Sequence, residues 1–166
     1  MKLLAIDPGV TAGWAYFTES GVLLRCGAAS SPRQVTELAN LAIYPVQPSE
    51  VLIEHPQIYP GGRTKNPNDI VKLAVNAGVW AGHLSARARI EFVYPRSWKG
   101  TLNSDVCCAR ILERLGSGEH DDVYEESTKN IPPSKRHNVI DAIGIGLFRL
   151  GRWTKPWQAS TVALSL

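Results

Sequence analysis

The chain has 166 residues, 44% of them hydrophobic and 20% charged, with a formal net charge of +3. That length suits one domain with a substantial core, and no apolar run approaches the roughly 18–20 residues a membrane-spanning helix needs. Cys26, Cys107 and Cys108 form no CxxC pair and cannot all pair with one another, and the opening "MKLLAIDPG" has too short an apolar run for a secretory leader. A reducing cytoplasm is therefore the expected setting.

The small net charge hides an uneven layout. Residues 58–112 carry Arg63, Lys65, Lys72, Arg87, Arg89, Arg96, Lys99 and Arg110 against three acids, while five acids crowd into 119–126 and mask the excess. A second basic region follows over 127–166. Two basic regions on a mildly basic chain suggest a polyanionic partner.

In chain order, strands are predicted over 3–7, 13–18 and 22–28, joined by short connections into a meander, with "ESG" as a tight turn. A helix follows over 33–43, where Val35, Leu38, Ala39 and Ala42 share one face. "VLIEHP" (51–56) reads as a strand, and the Gly- and Pro-rich stretch 56–68 as a loop. A long helix is predicted over 68–86, with Ile70, Leu73, Ala74, Ala77, Trp80, Ala81 and Leu84 as its apolar stripe. Gly78 and Gly82 lie inside it, each costing about 1 kcal/mol against alanine, so close packing is expected to offset them. "IEFVYP" (90–95) is a fifth strand, 104–115 a helix capped by Ser104, 116–134 a polar acidic loop, and 134–150 the last helix. The order β-β-β-α-β-α-β-α-α predicts one α/β domain over 1–150, a mixed five-stranded sheet with helices on both faces, and a tail over 151–166.

Two of these strands end on a carboxylate just before or beside a proline: "LLAIDPG" on Asp7 and "VLIEHP" on Glu54. The last helix adds "HNVIDAIGIG", with Asp141 among apolar residues and Asn138 and His137 three and four positions earlier on the same face. Singly, each acid has an ordinary explanation as a turn former, a solvated strand end or a helix surface residue. Jointly they can converge, and carboxylates converging in a partly buried cleft need cations to hold them. Mg²⁺ favours such hard oxygen ligands, and two ions about 4 Å apart can clamp both oxygens of a phosphodiester under attack.

"IDPGVTAGWAYF", "VLIEHPQIY" and "HNVIDAIGIG", in this order, resemble the three motifs of the RuvC branch of the ribonuclease H-like superfamily. "NDIVKLAVNAGVWAGHLSA" and "IEFVYPRSWKGTL" look like that family's interface helix, strand and basic loop, so the resemblance covers residues 2 to 150. It implies a ribonuclease H-like fold and a Mg²⁺-dependent, structure-selective endodeoxyribonuclease, a homodimer resolving four-way or other branched DNA by paired phosphodiester hydrolysis. It implies Asp7, Glu54 and Asp141 as ligands of two Mg²⁺ ions, for which Mn²⁺ can substitute, and Lys99 as a catalytic basic residue near the scissile phosphate. Asn138 or His137 completes the ligand set; the family pattern favours the i−3 position, Asn138, where the family itself usually carries Asp or His. DNA contacts are expected from Tyr59, Arg63, Lys65, Arg96, Lys99, Lys135, Arg136 and His137. The dimer contact is expected from Leu73, Ala77, Gly78, Ala81 and Gly82. Gln57 stands where bacterial members place an aromatic residue, with Tyr59 the nearest substitute, and such departures suit a phage-encoded or divergent bacterial member.

Three other readings compete. Half of an actin-like ATPase would open on a similar Asp-Pro-Gly motif, but that fold needs two related domains and a nucleotide loop, and no nucleotide cofactor or membrane partner is expected here. A junction-binding architectural protein with a weakened site would be marked by Asn138. An RNA-processing nuclease remains open because fold does not set substrate.

Overall fold

A computed structural model describes residues 2–41, 47–58 and 66–153. β1 (Leu3–Asp7), β2 (Ala12–Phe17) and β3 (Leu23–Ala29) form an antiparallel meander. β4 (Glu50–Glu54) joins β1 in parallel, and β5 (Arg89–Val93) joins β4 in parallel. The result is the expected mixed five-stranded sheet, in the order β3-β2-β1-β4-β5. β1 is buried on both faces, which is why it reads as an unbroken apolar run rather than an alternation. Leu3 and Ala5 enter one core and Leu4 and Ile6 the other.

Helices cover both faces. α1 (Pro32–Leu41) and α2 (Pro67–Leu84) enclose a core of Leu4, Ile6, Trp14, Val51, Ile53 and Trp80. α4 (Ser104–Glu113) and α6 (Pro133–Arg149) enclose the other, around Leu3, Phe17, Ile111, Ile143 and Leu147. α6 lies so close to β2 that a Cβ on Gly13 would stand 1.8 Å from the Asn138 carbonyl oxygen. Only glycine fits there, and that contact sets the height of α6 above the sheet. Among the described residues, no helix is long and apolar enough to cross a membrane.

Several boundaries differ from those predicted, each for a local reason. The fifth strand stops at Val93, and Pro95 opens a short helix, α3 (Pro95–Trp98). Proline suits a first helical position because the N–H it lacks would have no partner there. Asn103, not Ser104, caps α4, its side chain accepting from the Asp105 N–H at 2.9 Å. Asn66 caps α2 in the same way, accepting from the Asn68 N–H at 3.0 Å. The predicted acidic loop over 116–134 is instead largely helical: a π-helical segment, Glu119–Glu125, runs into α5 (Glu126–Thr128). Glu119, Tyr124 and Thr128 from this segment are buried.

α2 removes one residue, Ala77, from the expected dimer contact. Ala77 is only 2% exposed and packs, with Trp80 and Leu84, into the chain's own core, while Leu73 and Ala81 are half-buried. The outer face is formed by Val71, Val75 and Val79 together with Gly78 and Gly82. A Cβ on either glycine would meet nothing within 4 Å, so no packing within the described chain requires them.

Candidate active site

The parallel pairing of β1 with β4 runs from Leu3 opposite Glu50 to Ile6 opposite Ile53. The next residue on each strand is an acid, so this register sets Asp7 and Glu54 side by side at the C-terminal edge of the sheet. Alternation along β1 and β4 turns both toward the face that α6 covers, where Asp141 arrives from the helix. Lys99 follows α3 directly and completes the group.

The four side chains interact closely. Lys99 Nζ donates to Asp141 Oδ2 at 3.2 Å and lies 3.9 Å from Glu54 Oε2. The Trp98 indole N–H donates to the same Glu54 Oε2 at 2.8 Å. Glu54 and Asp141 side chains are each 14% exposed, and that of Lys99 27%. Burial, then the charges of Glu54 and Asp141, hold the Asp7 carboxyl well above its ordinary value, with Lys99 pulling the other way. Burial also raises the Glu54 carboxyl, opposed by Lys99 and by the Trp98 N–H. Burial alone would lower the Lys99 ammonium, but Glu54, Asp141 and Asp7 together keep it above its usual range. Asp7 and Glu54 are therefore harder to ionise than free carboxyls, and one lysine does not offset their burial completely.

Two asparagines pin the β1–β2 connection that follows Asp7. Asn76 of α2 donates to the Gly9 carbonyl at 3.1 Å, and Asn138 of α6 donates to the Thr11 carbonyl at 2.6 Å. The connection is thus held from both faces of the sheet. Asn138, expected as a ligand, spends its amide nitrogen on this task, which leaves only Oδ1 of that side chain for a cation.

Among the described residues, no three or more His, Cys, Asp or Glu side chains stand as a ready metal cage; the Lys99 ammonium is set among the acids instead. The chemistry of the donor set still suits a hard divalent ion. Carboxylates from three elements meet with a net negative balance, and the raised Asp7 and Glu54 carboxyls would be relieved by a further positive charge.

Of the expected DNA contacts, Tyr59, Arg63 and Lys65 lie outside the described residues. Arg96, Lys135 and His137 are exposed. Arg136 is half-buried: its Nε donates to the Ile131 carbonyl at 3.0 Å and Nη2 to that of Lys129 at 3.5 Å, so it clasps the segment before α6. Sequence reasoning missed Trp98 altogether. Its one available signal was a large aromatic residue in the basic turn "RSWKG", immediately before the lysine.

No protein-family model and no curated protein matches the chain. Solved structures do. RuvC of Thermus thermophilus is 15% identical with a TM-score of 0.51, over 92% of this chain and 98% of that one. The fowlpox virus resolvase, solved as a complex with substrate Holliday junction DNA, is 14% identical with a TM-score of 0.54, over 93% and 100%. The yeast mitochondrial Holliday junction resolvase is 14% identical with a TM-score of 0.52, over 91% and 79%. The chain therefore has the α/β, ribonuclease H-like fold of these resolvases, as the motif resemblance implied.

Proposed function

We propose that this chain is a divalent-metal-dependent endonuclease that cuts branched DNA, four-way junctions above all, and works as a homodimer. The observation that carries the reading is the convergence of Asp7, Glu54 and Asp141 around the Lys99 ammonium, at one edge of a fold shared with resolvases. Asp7, Glu54 and Asp141 would hold the ions, with Asn138 Oδ1 in reach of the same face. Bound divalent cations supply Lewis acidity and a water of lowered pKa at a phosphodiester.

The chain's own residues have separate tasks. The carboxylates fix the positions at which attacking and leaving oxygens are neutralised. Lys99 places a positive charge where the phosphate gains negative charge, a contribution of the oxyanion-hole kind. Arg96, Lys135 and His137, all exposed, would contact the phosphate backbone, giving salt-dependent affinity without base readout. The exposed valines and glycines of α2 offer an isologous face for a second copy, and a two-fold dimer matches a two-fold junction.

The test is direct cleavage. Purified protein with Mg²⁺ or Mn²⁺ is offered labelled four-way, three-way and linear duplex DNA, single-stranded RNA and RNA–DNA hybrid. Paired nicks in the four-way junction, absent from the linear duplex, are expected. Preference for RNA or hybrid would move the chain to RNA processing. Tight junction binding with no cleavage in either metal would favour the architectural reading, in which Lys99 neutralises the acids permanently.

A further inference from the structure

Trp98 is buried to 1% exposure, yet it is more than core filling. Its indole N–H donates to Glu54 Oε2 at 2.8 Å, and Lys99 Nζ lies 4.9 Å from its ring centroid. One side chain thus touches an acid on β4 and the cation that follows α3. The ring is itself held tightly. Trp153 meets it edge-on, with centroids 5.8 Å apart. On the α6 side, a Cβ on Gly144 would come within 2.7 Å of Trp98 Cζ3. Gly144 is therefore the slot in α6 that admits the indole, one turn beyond Asp141.

A carboxylate at a strand end can rotate, and a lysine on a four-carbon stem can swing. A locked indole restrains both. Its N–H fixes which Glu54 oxygen faces the core, and its π face keeps the ammonium near the acids through a cation–π contact. Tyrosine or phenylalanine at position 98 would supply the face without a nitrogen donor at that point.

We infer that Trp98 is a positioning residue of the active site: it holds Glu54 through Oε2, leaves Oε1 as the less encumbered oxygen for a divalent ion, and sets Lys99 beside it. This rests on the nuclease reading above. Outer partners that orient ligating carboxylates commonly change metal affinity or activity by 10–100-fold when removed.

The experiment compares Trp98→Phe, which keeps a ring but removes the N–H, with Ile111→Val, a core change against the same Gly144 slot at a side chain with no polar group to offer Glu54 or Lys99. Mn²⁺ binding to the DNA-free protein is measured by electron paramagnetic resonance, alongside metal-free junction affinity, thermal midpoint and cleavage at saturating metal. Trp98→Phe is expected to weaken Mn²⁺ binding by about tenfold and to slow cleavage, with junction affinity within about twofold of wild type. Ile111→Val should leave Mn²⁺ affinity unchanged even if its midpoint falls. Equal Mn²⁺ affinity in Trp98→Phe and wild type, or equal losses in both variants, would overturn the inference while leaving the nuclease reading in place. Wild type that binds no Mn²⁺ would overturn both. A second measurement needs no variant. In the ¹H–¹⁵N spectrum of the wild-type chain, which has five tryptophans, the Trp98 indole signal should shift on Mg²⁺ addition; a Trp98 signal indifferent to saturating Mg²⁺ would equally overturn the inference.

Discussion

Lys99 Nζ stands 3.2 Å from Asp141 Oδ2, so the helix that closes the site and the turn after α3 are joined by an ion pair. The pair is largely removed from solvent, and Glu54 shares the same ammonium at 3.9 Å. A lysine so placed can do two things: lower the cost of gathering acids, and meet the charge that builds on a reacting phosphate. Lys99→Ala separates these. Cleavage should fall by about 10²-fold, as for loss of one charge-stabilising donor, while junction affinity falls by less than about threefold. Filter binding and single-turnover cleavage on the same junction give the two numbers. Equal losses would make Lys99 an ordinary backbone contact.

The acids themselves should behave as a set. Asp7→Asn, Glu54→Gln and Asp141→Asn should each abolish cleavage and leave junction binding largely intact, because affinity for DNA comes mainly from cationic contacts to phosphate. Asp7→Asn carries a further signature. Burial and the neighbouring acids hold the Asp7 carboxyl above its ordinary value, so ionising it costs the folded state more than the unfolded one. That penalty appears as pH rises past the unfolded value and grows until the folded carboxyl has titrated. In EDTA, then, Asp7→Asn should melt above wild type at pH 8, and the gap should shrink toward pH 4. Adding Mg²⁺ to wild type at pH 8 should narrow it too. An Asp7→Asn protein that melts below wild type under metal-free alkaline conditions would refute the crowding argument.

Asn138 separates ligand from brace. Its amide nitrogen donates to the Thr11 carbonyl at 2.6 Å, and an aspartate could not make that bond. Asn138→Asp should therefore loosen the connection after Asp7 and cost about 1–3 kcal/mol, the scale of an unsatisfied buried partner, with slower cleavage despite the added charge. Urea unfolding and Mg²⁺ titration of cleavage distinguish the outcomes. A stable Asn138→Asp protein with a lower Mg²⁺ requirement would mark position 138 as a ligand rather than a brace.

Much of the site was legible because its signals are local. An acid ending an apolar strand is visible in "LLAIDPG" and "VLIEHP", and the parallel register of β1 and β4 then brings Asp7 and Glu54 together without further information. The Asp141 turn is equally local. What escaped depends on partners far apart in sequence. The bracing role of Asn138 shows only when Thr11 is seen 127 residues away, and the role of Trp98 only when Glu54 is seen 44 residues away. Periodicity put Ala77, Trp80 and Leu84 on the stripe of α2 that meets the core; the expected dimer contact drew on that same stripe through Ala77, although its neighbour Gly78 lies on the outer face. Asn103 and Ser104 are both good caps, and backbone geometry alone chose the first.

The outer face of α2 makes the oligomer testable. Val71, Val75 and Val79 are more than half exposed, and a Cβ on Gly78 would meet nothing within 4 Å among the described residues. Gly78→Leu should leave the monomer's fold intact, and even favour the helix by up to about 1 kcal/mol, while Val75→Glu adds a charge to the same face. Both should give monomers that bind junctions weakly, by sedimentation at concentrations where wild type cuts. A wild type that sediments as a monomer while cutting both strands would eliminate the α2 dimer.

The helical segment that replaced the expected acidic loop depends on Glu119. Its Oε1 accepts from the Leu23 N–H at 2.6 Å and from Arg152 Nη1 at 2.8 Å; its Oε2 accepts from Arg152 Nη2 at 2.6 Å and the Gly116 N–H at 2.8 Å. Arg152 also reaches the carbonyls of Gly21 and Arg114. The pair is 6% and 7% exposed, so it ties the edge strand β3, the end of α4 and the chain after α6 at one buried point. Breaking such a pair strands a charge and costs about 3–5 kcal/mol. For a chain of this size that is a loss of roughly 6–20 °C in thermal midpoint, expected for Glu119→Gln and for Arg152→Ala at pH 7. The pH dependence has a definite sign. Burial would raise the Glu119 carboxyl, but the bonds from Arg152, Leu23 and Gly116 outweigh it and hold it below its ordinary 4.5. A depressed carboxyl stabilises the fold above the unfolded value and loses that contribution as pH falls through the folded one. The gap between wild type and Glu119→Gln should therefore be widest near neutrality and narrow progressively as pH falls below the ordinary 4.5. A gap that stays constant down to pH 3, or a Glu119→Gln protein as stable as wild type at pH 7, would mean that packing of Tyr124 and Thr128, not the ion pair, holds the segment in place.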